Sequence, residues 1–465
     1  MAADSGSRRS VEVVLSPDVF RELQTWIGRP APKSAEVVIV CGNRPMTRSG
    51  LRIVPQMRRV FTALFLAACI LFAGCGPSGS NEVVSSDDSD PTPPAGFVLT
   101  GSMNLYRSGH TATLLDDGTV LVEGGGYVVA YDPGILNGAG QPEPVDQPWG
   151  GCEIYTPTSG VFELCAPTDL PVYGHTATRL NDGTVLIAGG EIIFPVRPPN
   201  YFPTESYLSP GGEVYSPALR EFSPTGSLNT PRKYHTATLL SNGMVLIVGG
   251  YDAAGNPLAS AELFNPASET FTLTGSLNFA RAGHTATLLG NGMVLIAGGS
   301  GPGTTLPDPA ELYDPETGSF SVTGSLNAAR TSHTATLLND GTVLIAGGLA
   351  TGNALASQAE IYNPTTGVFT GTGSLNSGRQ RHTATLLPDG TVLIAGGSDV
   401  SYNALSSAEL YKPATGTFTS ISGLNFPRYS HTATLLGNGS VLLAGGSDPV
   451  TGTGYAAALS SAELY

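Results

Sequence analysis

From Phe97 to the end of the chain, short apolar runs alternate with Gly, Pro, Asn and Asp punctuation. This is the pattern of an all-β chain. The most regular run is Thr342-Val343-Leu344-Ile345-Ala346-Gly347-Gly348. Its apolar residues are consecutive rather than alternating, as a strand covered on both faces requires. Before it stand a His-Thr-Ala-Thr segment and the turn Asp340-Gly341, and after it comes Ala359 to Tyr362, with Phe369 seven residues beyond Tyr362. Each such unit predicts four strands: a (HTATLL), b (TVLIAGG), c (AELY) and d (the VFT-type segment). Asp340-Gly341 and Asn438-Gly439 supply the positive φ angles that a tight a–b hairpin needs. The run Asn363 to Gly367 is a second turn, between c and d.

The unit repeats seven times. All seven histidines, His110, His175, His235, His284, His333, His382 and His431, begin it, at intervals of 65, 60, 49, 49, 49 and 49 residues. A period near 50, with a Gly-Gly pair and spaced aromatics, resembles the kelch repeat over residues 97–465. Phe stands where that family usually has Trp. The resemblance implies a seven-bladed β-propeller of four-stranded blades. The chain ends at Ala462 to Tyr465, a strand c without its d, while Phe97 to Asn104 matches the strand d of Phe320 to Asn327. Strand 97–104 is therefore expected to join the C-terminal blade and close the ring, removing exposed edges.

The N-terminal part carries a different signal. Met57-Arg58-Arg59 precedes the apolar run Val60 to Ala73, too short to span a bilayer and right for a signal-peptide core. It ends in Leu71-Phe72-Ala73-Gly74-Cys75, which resembles a bacterial lipobox, with Phe72 where Leu is usual. That resemblance implies lipidation of Cys75 and a lipid-anchored place in the bacterial envelope, on the outer membrane in a Gram-negative cell. Residues 57–74 are then the signal peptide. Residues 75–96, rich in Ser, Pro, Asp and Gly, form a tether. Residues 1–56 are expected to be an upstream extension, with Met57 the true start, or a disordered segment. Residues 97–465 hold 12 Lys+Arg against 28 Asp+Glu. So acidic a body excludes nucleic acid as a partner.

The recurring polar residues obey the repeat, so a structural role is expected for them. Each histidine should make the same local hydrogen bond. Arg107, Arg232, Arg281, Arg330, Arg379 and Arg428 stand three residues before a histidine, and Val172 takes that place before His175. Glu153, Glu213, Glu262, Glu311, Glu360, Glu409 and Glu463 recur in strand c. Arg–Glu pairs are expected, because buried charges need partners. Cys152 and Cys165 flank the c–d hairpin of the first repeat in facing register. In an oxidising compartment they are expected to bond.

The variable part lies between strands b and c. From the second Gly of each pair to the strand-c glutamate the spacings are 28, 23, 12, 12, 12, 12 and 17. The long loops belong to blades 7, 1 and 2, neighbours in a closed ring. They carry Tyr127, Tyr131, Trp149, Phe194, Tyr201, Phe202, Tyr207 and Tyr455, the candidate ligand-binding residues. Aromatics on a loop face suit sugar rings or a protein partner. The expected function is non-catalytic recognition of a glycan or an envelope protein by a monomer, touching membrane only through its lipid. No cofactor and no metal are expected. Two alternatives stay open: a kelch-type carbohydrate-active enzyme (oxidase, epimerase or lyase), or a scaffold in a surface assembly. The resemblance extends to the propeller of galactose oxidase, whose copper is held by His and Tyr beside a Cys–Tyr cross-link. Here no histidine lies outside the repeat set.

Overall fold

The structure is a computed structural model that describes residues 10–11, 39–40, 96–126, 131–136, 142–144, 151–166, 168, 172–193, 206–301, 309–449 and 456–465. The chain divides into two compact units, Met1–Ser89 and Asp90–Tyr465. In the first, Ser10–Val11 pairs with Ile39–Val40. The signal peptide 57–74, Cys75 and all of the tether but Gly96 lie outside the described residues.

The second unit is all-β and built from antiparallel four-stranded sheets of kelch, propeller-like type. Among the described residues there are seven of them. Sheet 5 is typical, with strand a at Thr334–Leu337, b at Val343–Ala346, c at Gln358–Asn363 and d at Val368–Ser374. Sheet 1 runs Thr111–Leu114, Val120–Glu123, Glu153–Thr156 and Val161–Leu164. Sheet 7 takes a, b and c from Thr432–Leu435, Val441–Ala444 and Ala462–Leu464. Its fourth strand is Val98–Leu99, with Val98 opposite Leu464 and Leu99 opposite Glu463. The rings of Phe97 and Tyr465 lie 5.0 Å apart, like the Tyr362–Phe369 pair of sheet 5 at 4.7 Å.

The core is divided into seven clusters, each between two sheets. Val120, Val122 and Tyr155 of sheet 1 pack with Leu442, Ala444 and Ala462 of sheet 7. Leu121 and Ile154, on the other face of sheet 1, pack with Val185, Ile187 and Tyr215 of sheet 2. Strand b is thus buried on both faces, which explains its unbroken apolar run. The Gly–Gly pair that ends it is a steric requirement. Gly347 has φ 63°, and a Cβ there would lie 2.5 Å from His382 Cε1 and 2.7 Å from the Arg379 carbonyl.

The expected Arg–Glu pairs are present in six repeats, at 2.7 to 3.0 Å and fully buried. Each is part of a larger clamp. The Glu360 carboxylate accepts from the Asn327 amide N–H and Nδ2, from the Ala328 N–H and from Arg330 Nη2. Arg330 Nη1 also donates to the carbonyls of Gly347 and Gln358. One clamp therefore ties the d–a link, the end of strand b and the start of strand c. Repeat 2 departs from it. Val172 is buried and pairs with Ile192, while Glu213 accepts a hydrogen bond from Thr168 Oγ1.

The histidines make one repeated bond, as the repeat demands, but it runs between sheets rather than locally. His175, His235, His284, His333, His382 and His431 are each hydrogen-bonded through Nε2 to Thr111, Thr176, Thr236, Thr285, Thr334 and Thr383 Oγ1 of the preceding repeat. The seventh, His110, is bonded to Thr432 of the last repeat at 3.1 Å. Cys152 and Cys165 are joined through their sulfurs.

Breaking one clamp leaves a buried carboxylate without its counter-charge. Arg330→Ala is expected to cost about 3–5 kcal/mol in denaturant unfolding. A variant as stable as wild type would contradict the clamp.

Candidate functional site

Within this fixed frame a few positions vary from repeat to repeat, and they lie together. The residue two places before each histidine is bridged to the residue that follows the Gly–Gly pair. The couples are Ser108–Gly126, Tyr173–Glu191, Lys233–Tyr251, Ala282–Ser300, Thr331–Leu349, Gln380–Ser398 and Tyr429–Ser447. The residue one place before each histidine has left-handed backbone in all seven repeats. Three are Gly (Gly109, Gly174, Gly283) and four are not: Tyr234, Ser332, Arg381 and Ser430, with φ of 52° to 55°. A side chain there costs about 1–2 kcal/mol. This column is bonded from sheet to sheet. The Tyr234 N–H donates to the Gly174 carbonyl, Arg381 N–H to Ser332, Ser430 N–H to Arg381 and Gly109 N–H to Ser430. These positions form the b–c end of the inner strands, called the mouth below.

The mouth is rich in tyrosine. Tyr173 lies against Gly109 and Gly126 of the first repeat; a Cβ on Gly109 would strike its ring at 2.5 Å, and one on Gly126 would make a tight contact at 3.3 Å. The rings of Tyr173 and Tyr234 meet edge to face at 5.6 Å, and those of Tyr234 and Tyr251 at 6.4 Å. The Tyr251 hydroxyl is hydrogen-bonded to Ser300 Oγ at 2.8 Å. Lys233 Nζ donates to Glu191 at 2.6 Å. Arg381 lies over the Tyr402 ring, 5.1 Å from its centroid, a cation–π contact. Burial raises the pKa of the Tyr234 and Tyr429 phenols, and the charge of Arg381 opposes the rise at both. Sheets 2, 3, 6 and 7 thus contribute to one electrostatic neighbourhood.

Of the residues chosen from sequence, Tyr127, Trp149, Phe194, Tyr201, Phe202 and Tyr455 lie outside the described residues. Tyr131 begins a strand, Tyr131–Leu136, paired with Pro142–Pro144. Tyr207 is exposed on Ser206–Leu208, opposite Ile192. The long b–c segments therefore carry strands of their own, one of which pairs with Val172–Tyr173 beside the mouth. Sequence reasoning passed over Tyr173, Tyr234, Tyr251, Arg381, Tyr402 and Tyr429. The signal was available, since the two columns before HTAT vary within an otherwise fixed repeat. It also passed over Glu123, which stands where the other repeats have Ala or Val. Glu123 is fully buried, and His175 Nε2 lies 2.7 Å from its Oε2.

Three comparisons bear on this geometry. Residues 174–397 match the family model described as the KLHDC2/KLHL20/DRC7 Kelch-repeats domain. The solved structure of a novel fungal alcohol oxidase of the AA5 family, in complex with copper, is similar with a TM-score of 0.60 and 18% identity, over 79% of this chain and 75% of that one. No curated protein matches the sequence. Over residues 174–397 the chain is similar to kelch-repeat domains, and the likeness to the oxidase supports the same propeller-type fold. The oxidase likeness concerns the fold alone. Among the described residues no copper centre is assembled, for the histidines stand one to a repeat, each bonded through Nε2 to a repeat threonine, and Cys152 is bonded to Cys165. Among the described residues no three His, Cys, Asp or Glu side chains stand together as a metal site.

The buried imidazoles give the frame an acid limit. Burial, then the adjacent arginine, holds His284, His333 and His382 at about 3 against an ordinary 6.5. His110, His235 and His431 are lowered by burial and by Arg107, Arg232 and Arg428. Between the two values the unfolded chain binds protons that the folded chain does not, so stability is complete above pH 6.5 and falls as pH drops toward 3. Unfolding near pH 5 is expected to take up several protons. A melting temperature unchanged between pH 7.5 and 4.5 would contradict this account.

Proposed function

We propose that this protein is a non-catalytic recognition module of a bacterial envelope that binds a glycan at the tyrosine-lined mouth. The observation that carries the reading is the contrast within the repeats. Residues that hold the sheets together recur, while the columns that hold Tyr173, Tyr234, Tyr251, Arg381, Tyr402 and Tyr429 vary from repeat to repeat, and these residues gather at one end. Three of them, Tyr234, Arg381 and Tyr402, occupy backbone that favours glycine. Residues held in such backbone cluster at functional sites. Edge-to-face tyrosines present apolar ring surface together with hydroxyls, a combination suited to a sugar.

The seven sheets read as blades of one propeller closed by its own termini. The pairing of Val98–Leu99 with Ala462–Leu464, the Phe97–Tyr465 ring contact and the His110–Thr432 bond support that closure. Closure makes blades 7, 1 and 2, which carry the long b–c segments, neighbours in the ring. Cys75 would carry the lipid and residues 76–96 would hold the monomeric propeller off the membrane. The enzyme alternative has the fungal oxidase's fold behind it and, among the described residues, no cluster of metal-binding side chains.

Residues 90–465 form the compact unit for the test. Applied to an immobilised glycan panel, they should retain at least one glycan, and Tyr234→Ala should weaken that binding about tenfold. Leu164→Ala, on the outer strand, should leave it unchanged. An empty panel, or affinity indifferent to Tyr234, would contradict the glycan reading and turn attention to an envelope protein.

A further inference from the structure

Arg381 is the exception among the arginines. The other eight in the described residues, Arg107, Arg179, Arg220, Arg232, Arg281, Arg330, Arg379 and Arg428, each face a carboxylate within ion-pair distance. Among the described residues none does so for Arg381, which is exposed at the mouth over Tyr402. This happens in a domain where acids outnumber bases 28 to 12, so an acidic partner is easy to supply. The neighbouring cation, Lys233, is already neutralised by Glu191 at 2.6 Å. Among the described residues of the mouth, Arg381 is therefore the positive charge without a counter-charge. Its planar guanidinium, stacked on one tyrosine and electrostatically felt by Tyr234 and Tyr429, is fixed beside the aromatic surface. The residue is also held at φ 52°, where Gly109, Gly174 and Gly283 serve elsewhere.

We infer that the mouth selects a sugar ring bearing a single carboxylate, a uronic acid, and that Arg381 is the residue that reads the carboxylate. This rests on the glycan reading of the same mouth. A guanidinium fork matches a carboxylate with two parallel N–H donors. One cation matches one anion. The net charge of −16 over residues 97–465 (12 minus 28) repels polyanions such as acidic peptides in proportion to their charge, whereas a ring with one charge is opposed least. Tyrosine surface beside the charge accommodates the ring itself.

The full chain is titrated calorimetrically with short oligosaccharides ending in glucuronate or galacturonate, with the same sugars carboxyl-reduced to neutral glucose or galactose ends, and with an Asp/Glu-rich peptide. A uronate is expected to bind about tenfold or more tightly than its reduced counterpart, the worth of a charged hydrogen bond. Arg381→Gln should abolish that preference, bringing the ratio of uronate to neutral-sugar affinity to about one. Arg381→Lys should restore part of the preference. Equal affinity for acid and neutral forms in wild type, or a preference that survives Arg381→Gln, overturns the role of Arg381 while leaving sugar binding intact. Binding of neither sugar form overturns both readings. Arg381-dependent binding of the peptide alone overturns the uronate and moves the carboxylate to a protein.

Discussion

The buried Arg–Glu clamp is the constraint on which the rest of this protein depends. Two charges are taken wholly out of water in six repeats, and each pair is tolerable because nearly all the donors and acceptors around it are used, Arg107 Nε and Arg428 Nε excepted. The carboxylate collects the Asn and next-residue N–H groups of the incoming link. The guanidinium collects the carbonyls of the Gly–Gly corner and of the segment before strand c. Three chain segments that are far apart in sequence are thereby fixed at one end of each sheet. The His–Thr bond then couples that end to the neighbouring sheet. Because both devices use only repeated residues, the columns between them are free to change without unseating a strand.

That freedom is where binding specificity can reside. The position before each histidine lies between a clamp residue and the buried imidazole, so its backbone is dictated and its side chain is not. The backbone imposed there is left-handed, and glycine satisfies it in three repeats. Tyr234 and Arg381 are retained against that local preference, and both point to the same electrostatic neighbourhood. The repeat without an arginine is instructive in the same way. Val172 and Ile192 bring strand Glu191–Ile193 beside Tyr173, and Glu191 from that strand neutralises Lys233 of the next repeat. The loss of one clamp thus coincides with an extension of the mouth.

Much of the frame could be read from sequence because it is written seven times. The seven histidines, the Gly–Gly pairs and the strand-c glutamates gave strand order and register, and Tyr362 does face Phe369. The Arg–Glu pairing followed from burial alone. The direction of the histidine bond did not. It joins His382 to Thr334, 48 residues back, and local pattern carries no information on contacts between sheets. The site was harder still. Long loops drew attention to Tyr127, Trp149 and Phe194, whereas single variable positions beside the histidines place Tyr173, Tyr234 and Arg381 together. An unusual loop length is conspicuous in one dimension, but one changed residue per repeat becomes a site only when the repeats are set around each other. Glu123 escaped for the same reason, since its meaning depends on His175 of the next repeat.

The central claim is that the mouth side chains are kept for a ligand at the expense of local stability, while the clamps are kept for the fold. The most direct measurement is the thermal stability of Arg381→Gly, whose main-chain bonds to Ser332 and Ser430 are unaffected by the change. The account predicts a variant more stable by about 1 kcal/mol, through relief of left-handed strain, together with lost ligand binding. A variant less stable than wild type would show that Arg381 belongs to the frame and would contradict the account.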